Sequence, residues 1–333
     1  MKIFITGIAG FLGSHLADRM LALGHRVAGN DTLIGGYLDN VPKEAEFYKI
    51  DCCDIDEMTK AIAGSDIVIH TAATAHEGLS VFSPSFITKN IFEASVSTIS
   101  ASIQNKVKRF VFCSSMARYG NQEVPYREDQ KPMPDDPYAV AKVASEDVLK
   151  ILCETHGMEW NIAIPHNIVG PRQRYDDPFR NVMSIMINRN LQGKPSIIYG
   201  DGSQTRCFSH VDDCIQCLEK MALDPNIVSQ AINIGPDEGT ITVKELADLV
   251  AKECNMTQPH IHMPDRPREV KHASCSAETA RKVLNYETKT TLEESIRQTV
   301  EYVRSRGTKP FDYSYPLEII TEKTPKTWSQ RLM

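Results

Sequence analysis

The chain opens on an apolar run, "KIFIT", and short runs of the same kind recur at "HRVAGND", "DIVIH", "KRFVFCSS" and "WNIAIP". Between them lie longer stretches whose apolar residues return every three to four positions, the spacing of one helix face. Short β-branched runs alternating with amphipathic segments predict βαβ units, and hence a parallel sheet with helices packed on it. From about Asn167 the pattern loosens around "PSIIYGDG", tightens at "CFSHVDDCIQCLEKMAL", and then gives two amphipathic helices, "VKELADLVAKEC" and "LEESIRQTVEYVRSRG". The fold class expected is therefore α/β, a doubly wound parallel sheet with a smaller α/β lobe. Residues 1–166 and about 207–235 form the sheet lobe in this reading, and 167–206 with about 236–307 form the smaller lobe. Residues 308–333 carry three prolines and scattered aromatics without a helical period, and read either as a docked arm or as a frayed tail.

Composition narrows the function classes. A chain of 333 residues, 41% of them hydrophobic, can bury a large core. Its net charge of -6 leaves no basic excess to neutralise a phosphate backbone, so nucleic acid is not an expected partner. No apolar run approaches the roughly 18 residues that span a bilayer, and Met1-Lys2 leads into a strand rather than a signal-peptide core, so a cytoplasmic location without membrane association is expected. Nine scattered cysteines do not make a disulfide framework. Cys214 and Cys217 form a CxxC inside a helical pattern with no second ligand pair, which reads as core packing, and no metal site is expected.

The first helix pattern begins with chemistry. Gly7, Gly10 and Gly13 stand directly after the first strand, in the spacing GxxGxxG. Glycines there let the backbone approach a pyrophosphate, whose charge meets free N–H groups and the positive end of the helix. Asp31, at the end of the second strand, follows at the offset where a carboxylate accepts hydrogen bonds from a ribose. Together these predict a Rossmann-type dinucleotide site. A carboxylate at 31 repels a 2′-phosphate, and Thr32 offers no arginine to receive one, so NAD is preferred to NADP. Asp51 follows a third strand and either reaches the adenine or is a solvated loop acid in "DCCDIDE". Further on, "DPYAVAKVASEDVLK" sets Tyr138 and Lys142 one helical turn apart. An ammonium beside a phenol favours phenolate, which makes a general base of a residue otherwise protonated.

With the segments "TGIAGFLG", "IVIHTAA", "FCSSMARYG", "PYAVAK", "NIVGPR", "YGDGSQTRCFSHVDD" and "DRPREVKHASCSAETARKVL" in this order, the chain resembles the extended short-chain dehydrogenase/reductase family. Within it, the resemblance is to the nucleotide-sugar epimerases and dehydratases typified by UDP-galactose 4-epimerase. That resemblance implies a catalytic set of Ser115, Tyr138 and Lys142, in which Tyr138 takes a proton from a sugar hydroxyl while the same carbon gives hydride to the nicotinamide. Ser115 would hydrogen-bond the sugar oxygen, and Lys142 would hold the nicotinamide ribose. The family's NAD pattern falls on Gly7, Gly10, Phe11, Leu12, Gly13, Asp31, Asp51, Cys52, Ala72, Asn90 and Lys142. Its UDP-sugar pattern falls on Asn167, Asn181, Arg206, Arg266 and Glu269, with the arginines at the diphosphate. Counting seven residues on from Arg266 places Ala273 at a position that gates the hexose pocket, where a small residue admits a 2-acetamido group. The resemblance also implies a homodimer pairing "SPSFITKNIFEASVSTISASIQ" and the helix from Tyr138 with their copies.

Departures from the family pattern sharpen the expected reaction. Relatives that eliminate water or carbon dioxide carry glutamate two residues before the strand-end tyrosine, Tyr119 here. This chain has Ala117 there and Met116 before it, and neither transfers a proton. The expected function is thus NAD-dependent 4-epimerisation of a UDP-hexose, UDP-glucose with UDP-galactose and also UDP-GlcNAc with UDP-GalNAc, through a 4-keto sugar. Alternatives are a UDP-glucuronic acid 4-epimerase, a dehydratase or decarboxylase, and a non-catalytic NAD-binding sensor. Ile164 and Val169 replace a frequent arginine and tyrosine of the family. Arg118 stands where a small aliphatic is usual; it faces solvent, pairs with an acid in "NQEVPYRED", or points at the substrate, where it would suit a uronic acid.

Overall fold

The computed structural model describes residues 1–333. Its main sheet has seven strands: β1 (Lys2–Thr6), β2 (Arg26–Asn30), β3 (Glu46–Tyr48), β4 (Ile67–His70), β5 (Arg109–Cys113), β6 (Glu159–Pro165) and β7 (Gln230–Ile234). All pair in parallel, in the order β7-β6-β5-β4-β1-β2-β3. The apolar runs are nearly continuous because these strands are covered on both faces. Ile3 and Ile5 enter one core with Leu16, Met20 and Leu218, whereas Phe4 enters the other with Phe110, Phe112, Ile99 and Leu149. Helices α1 (Phe11–Ala22), α2 (Ile55–Ile62), α3 (Ala94–Gln104), α4 (Pro137–His156) and α5 (Val211–Leu223) supply those layers. Strand order reverses between β1 and β4, which opens a crevice at their carboxyl ends, the place where doubly wound sheets bind ligands.

Cys214 and Cys217 lie in the first core, as their helical spacing predicts, and no cluster of three metal-ligating side chains occurs. The second lobe packs helices Val182–Leu191, Val243–Cys254 and Leu292–Arg306 around Met183, Ile187, Leu246, Val250, Ile296 and Val300. One segment departs from the expected boundary. Ala277, Ala280, Leu284 and Tyr286 join the core of the sheet lobe, so the chain returns to that lobe once more after 236. An amphipathic pattern marks which face of a helix is apolar, but not which surface it will cover.

Residues 308–333 are a docked arm that ties both lobes together. Trp328 is buried against Phe82 and Phe179. Glu318 accepts from the backbone N–H groups of Ser85 and Phe86 at 2.9 and 2.8 Å on the sheet side. On the other side, Asp312 pairs with Arg174 at 2.7 Å and the Leu332 carbonyl accepts from Arg189 at 3.4 Å. No helix is long and apolar enough to cross a membrane.

Candidate active site

A cavity of about 450 Å³ occupies the crevice, and the glycine turn forms its floor. Gly7 has φ +70°, and a Cβ there would sit 2.9 Å from Ala72 Cα. A Cβ on Gly13 would come within 2.2 Å of the Gly7 carbonyl oxygen, so helix and strand approach as closely as only glycine allows. Gly10 caps α1 without any side-chain bond, which leaves first-turn N–H groups facing the cavity. This cradle fits a pyrophosphate. Asp31 sits beyond β2, accepting from Ala9 N at 3.1 Å and Leu33 N at 2.7 Å. Burial raises its pKa and these backbone bonds oppose the rise. Asp31 also lines the cavity. Phe11, Leu12, Asp51, Cys52, Ala72 and Asn90 line the same space. Asp51 accepts from Cys53 N at 2.9 Å, which makes it a turn-forming residue as well as a cavity wall. Burial pushes the Cys52 thiol up to about 12, so it serves there as a neutral apolar wall. Asn90 lies in a π-helical turn, Lys89–Glu93, and donates to Phe86 O at 2.7 Å.

The chemical residues come from β5 and α4. Ser115 follows β5 and caps the short turn Met116–Tyr119, its Oγ accepting from Ala117 N at 3.2 Å. Helix α4 starts where its sequence dictates: Pro137 at the first position, and Asp136 accepting from Ala139 N at 2.9 Å. Its first turns carry Tyr138 and Lys142 into the cavity beside Ser115. Lys142 Nζ donates to Cys113 O at 2.6 Å and lies 6.0 Å from the centre of the Tyr138 ring. Burial lowers its pKa to about 8. In the protein alone, burial and then the charge of Glu77 hold the Tyr138 phenol above its ordinary value, against the Ser115 hydrogen bond and Arg180. The Lys142 ammonium donates to the Cys113 carbonyl, and burial rather than its charge dominates at the phenol.

Asn167, Asn181, Arg206, Arg266 and Glu269 all line the far end. Arg266 grips Glu269 through Nε and Nη2 at 3.2 and 2.9 Å and lies over the Tyr199 ring at 4.7 Å. Arg206 donates to Val270 O at 2.7 Å and lies 3.9 Å from the same carboxylate. Two expectations are corrected. Ala273 is not in the cavity wall; it pairs alongside Arg206, which is, in a small sheet, and packs with Cys275 and Tyr126. Arg118 is buried, pairs with Glu146 at 3.1 Å and is absent from the cavity wall, so it neither faces solvent nor meets the substrate. The reading from the chain also missed several cavity residues: Glu77, the buried pair of His76 and Asp177 at 2.7 Å, Arg174, Arg180, and Tyr315 and Met333 of the arm. They come from loops, from the four-residue helix Glu77–Ser80 and from the arm, where no periodic pattern marks them.

The family model "NAD dependent epimerase/dehydratase family" matches residues 3–235. The UDP-glucose 4-epimerase of Mycolicibacterium smegmatis is 32% identical over 319 residues, covering 92% of this chain and 100% of that one. Among solved structures, the UDP-glucose 4-epimerase of Thermotoga maritima with UDP-glucose superposes with a TM-score of 0.86 at 29% identity, over 92% of this chain and 99% of that one. The UDP-glucuronic acid 4-epimerase of Bacillus cereus, in complex with UDP-glucuronic acid and NAD, gives 0.84 at 26% identity, over 92% and 100%. The cradle, the carboxylate beyond β2 and these likenesses agree: the chain belongs to the NAD dependent epimerase/dehydratase family of extended short-chain dehydrogenases, and its cofactor is NAD.

Proposed function

We propose that the protein interconverts UDP-glucose and UDP-galactose by epimerisation at carbon 4. The observation that carries this reading is the convergence of Ser115, Tyr138 and Lys142 in one cavity with the glycine cradle. NAD, when bound, supplies the acceptor and donor of hydride for the sugar carbon. Tyr138 takes the hydroxyl proton and returns it, and Ser115 orients the oxygen that loses it. Lys142 holds a positive charge at the level of Tyr138 and is placed to donate to a ribose. Arg206 and Arg266 meet the diphosphate, and Glu269 keeps both guanidinium groups in place.

The strand end itself offers only Met116 and Ala117, which favours return of hydride over elimination. Glu77 nevertheless brings a carboxylate into the cavity from the short helix Glu77–Ser80. A product assay therefore decides between the reactions. Incubation with UDP-glucose, followed by NMR, should show the 4-epimer with every hydroxyl retained. A product lacking a hydroxyl would show elimination, and NAD binding without any product would show a sensor.

A further inference from the structure

Glu77 opens the short helix Glu77–Ser80 after β4, and it is exposed to the cavity. It lines that space together with Ser115 and Tyr138. The neighbouring acids of the sugar end are engaged: Asp177 with His76 at 2.7 Å, and Glu269 with Arg266 at 2.9 Å. The Glu77 carboxylate has no hydrogen-bond or ion-pair partner within 4.0 Å of the kind its neighbours have. Two aromatic side chains of the arm fix the segment that carries it. The Tyr315 ring lies 4.9 Å from the His76 ring. Trp328 lies against Gly78, where a Cβ would come within 3.3 Å of the indole and 3.6 Å of Arg266 Nη1. Thus Glu77 is held between a clamped histidine and a clamped glycine, beside the arginine assigned to the diphosphate.

An unpartnered carboxylate facing a sugar site does two things. It accepts hydrogen bonds from hydroxyl groups, and it repels a second carboxylate brought beside it. We propose that Glu77 selects the sugar, binding the hydroxyls of an uncharged hexose and excluding a hexuronic acid. This rests on the reading of the chain as a UDP-hexose 4-epimerase and names the substrate class of that site. Arg118 is buried with Glu146, and the arginines that do line the cavity face acids already in place: Arg174 meets Asp176 and Asp312, Arg206 and Arg266 meet Glu269, and Arg180 lies within the field of Glu77. Arg180, Arg206 and Arg266 favour the ionised form of Glu77, while burial and Asp136 oppose it and push its pKa up to about 7. At about pH 8 the acid is ionised.

The test compares kcat/KM for UDP-glucose and UDP-glucuronic acid at about pH 8 in the NAD-loaded wild type, Glu77→Gln and Trp328→Ala. A like-charge contact costs several kcal/mol, so the wild type should prefer UDP-glucose by roughly a hundredfold or more. Glu77→Gln should cut that preference at least tenfold, through gain of the uronate as well as loss of the hexose. Trp328→Ala should cut it in the same direction, since it frees the segment. Calorimetric binding of both sugars to Tyr138→Phe and to Tyr138→Phe with Glu77→Gln reports the same ratio without turnover. Turnover of UDP-hexoses with an unchanged ratio overturns the assignment of Glu77 alone. A shifted binding ratio without any turnover supports Glu77 and overturns the 4-epimerase reading alone. Solvent deuterium at carbon 3 or 5 of the product, lost in Glu77→Gln, would make Glu77 a proton-transfer group and overturn its role as a selector.

Discussion

His76→Ala is the substitution whose cost can be worked most fully from the structure. His76 comes from the loop after β4 and Asp177 from the second lobe, and both side chains are 2% exposed. His76 Nε2 meets Asp177 Oδ2 at 2.7 Å, and Phe179 N donates to the other oxygen at 2.9 Å. Burial alone would push the Asp177 carboxyl up, but the charge and hydrogen bond of His76 outweigh it and hold the pKa below the usual carboxylate value. Truncating the histidine strands that carboxylate and removes the ring that packs on Tyr315. Breaking one side of a buried pair costs about 3–5 kcal/mol. With an unfolding entropy of about 2.1 cal/mol/K per residue, a chain of this length loses about 1.4 °C per kcal/mol, so a drop in Tm of roughly 4–7 °C is expected. The assay is a double-mutant cycle by thermal and urea unfolding of NAD-loaded His76→Ala, Asp177→Ala and the double variant. Because neither single change leaves its partner satisfied, the double should cost less than their sum by at least about 1.5 kcal/mol. Asp177 has a lowered folded-state pKa, so its contribution is full above the unfolded value near 4 and fades as pH falls through the folded one. A fall in Tm below about 2 °C, or additivity within about 0.5 kcal/mol, would refute the reasoning.

Tyr138→Phe keeps the ring and removes the proton acceptor, so kcat should fall by about 10²–10⁴ with sugar binding retained; near-normal turnover counts against the mechanism. Asp31→Arg should move cofactor preference towards NADP, measured as the ratio of dissociation constants, because it replaces a carboxylate that repels a 2′-phosphate; an unchanged ratio removes Asp31 from the ribose. We propose a homodimer through residues 83–104 and α4, which expose Phe92 at 36% on the first segment and Val140 at 51% and Ile151 at 61% on the second. Light scattering should give twice the chain mass, and Val140→Glu should shift it to the monomer; a wild-type monomer at micromolar concentration overturns the pairing.

The sheet was legible because parallel strands buried on both faces must be apolar throughout, and "KIFIT" or "DIVIH" admit no other reading once helical periods separate them. Helix α4 was legible from the spacing of Tyr138 and Lys142, while the structure adds its cap at Asp136 and its left-handed end at Gly157. The glycine cradle and the Tyr138–Lys142 pair share this property: their chemistry depends on spacing within one element. The sugar end does not. Ala273 was placed by counting from Arg266, and counting along a loop fixes neither its path nor the side to which a residue turns. Arg118 could not be assigned because its partner, Glu146, lies in another element. Glu77, Asp177 and Tyr315 meet only through tertiary folding, and the prolines and aromatics of 308–333 mark a non-helical segment without saying what it covers.

The most direct test of the account is a proton NMR time course of the purified protein with UDP-glucose and no added reductant, alongside Tyr138→Phe. The account predicts appearance of UDP-galactose until a fixed ratio is reached, approach to the same ratio from UDP-galactose, and no product with the variant. A dehydrated or decarboxylated product, or the absence of any change in either sugar by a protein that holds NAD, would contradict it.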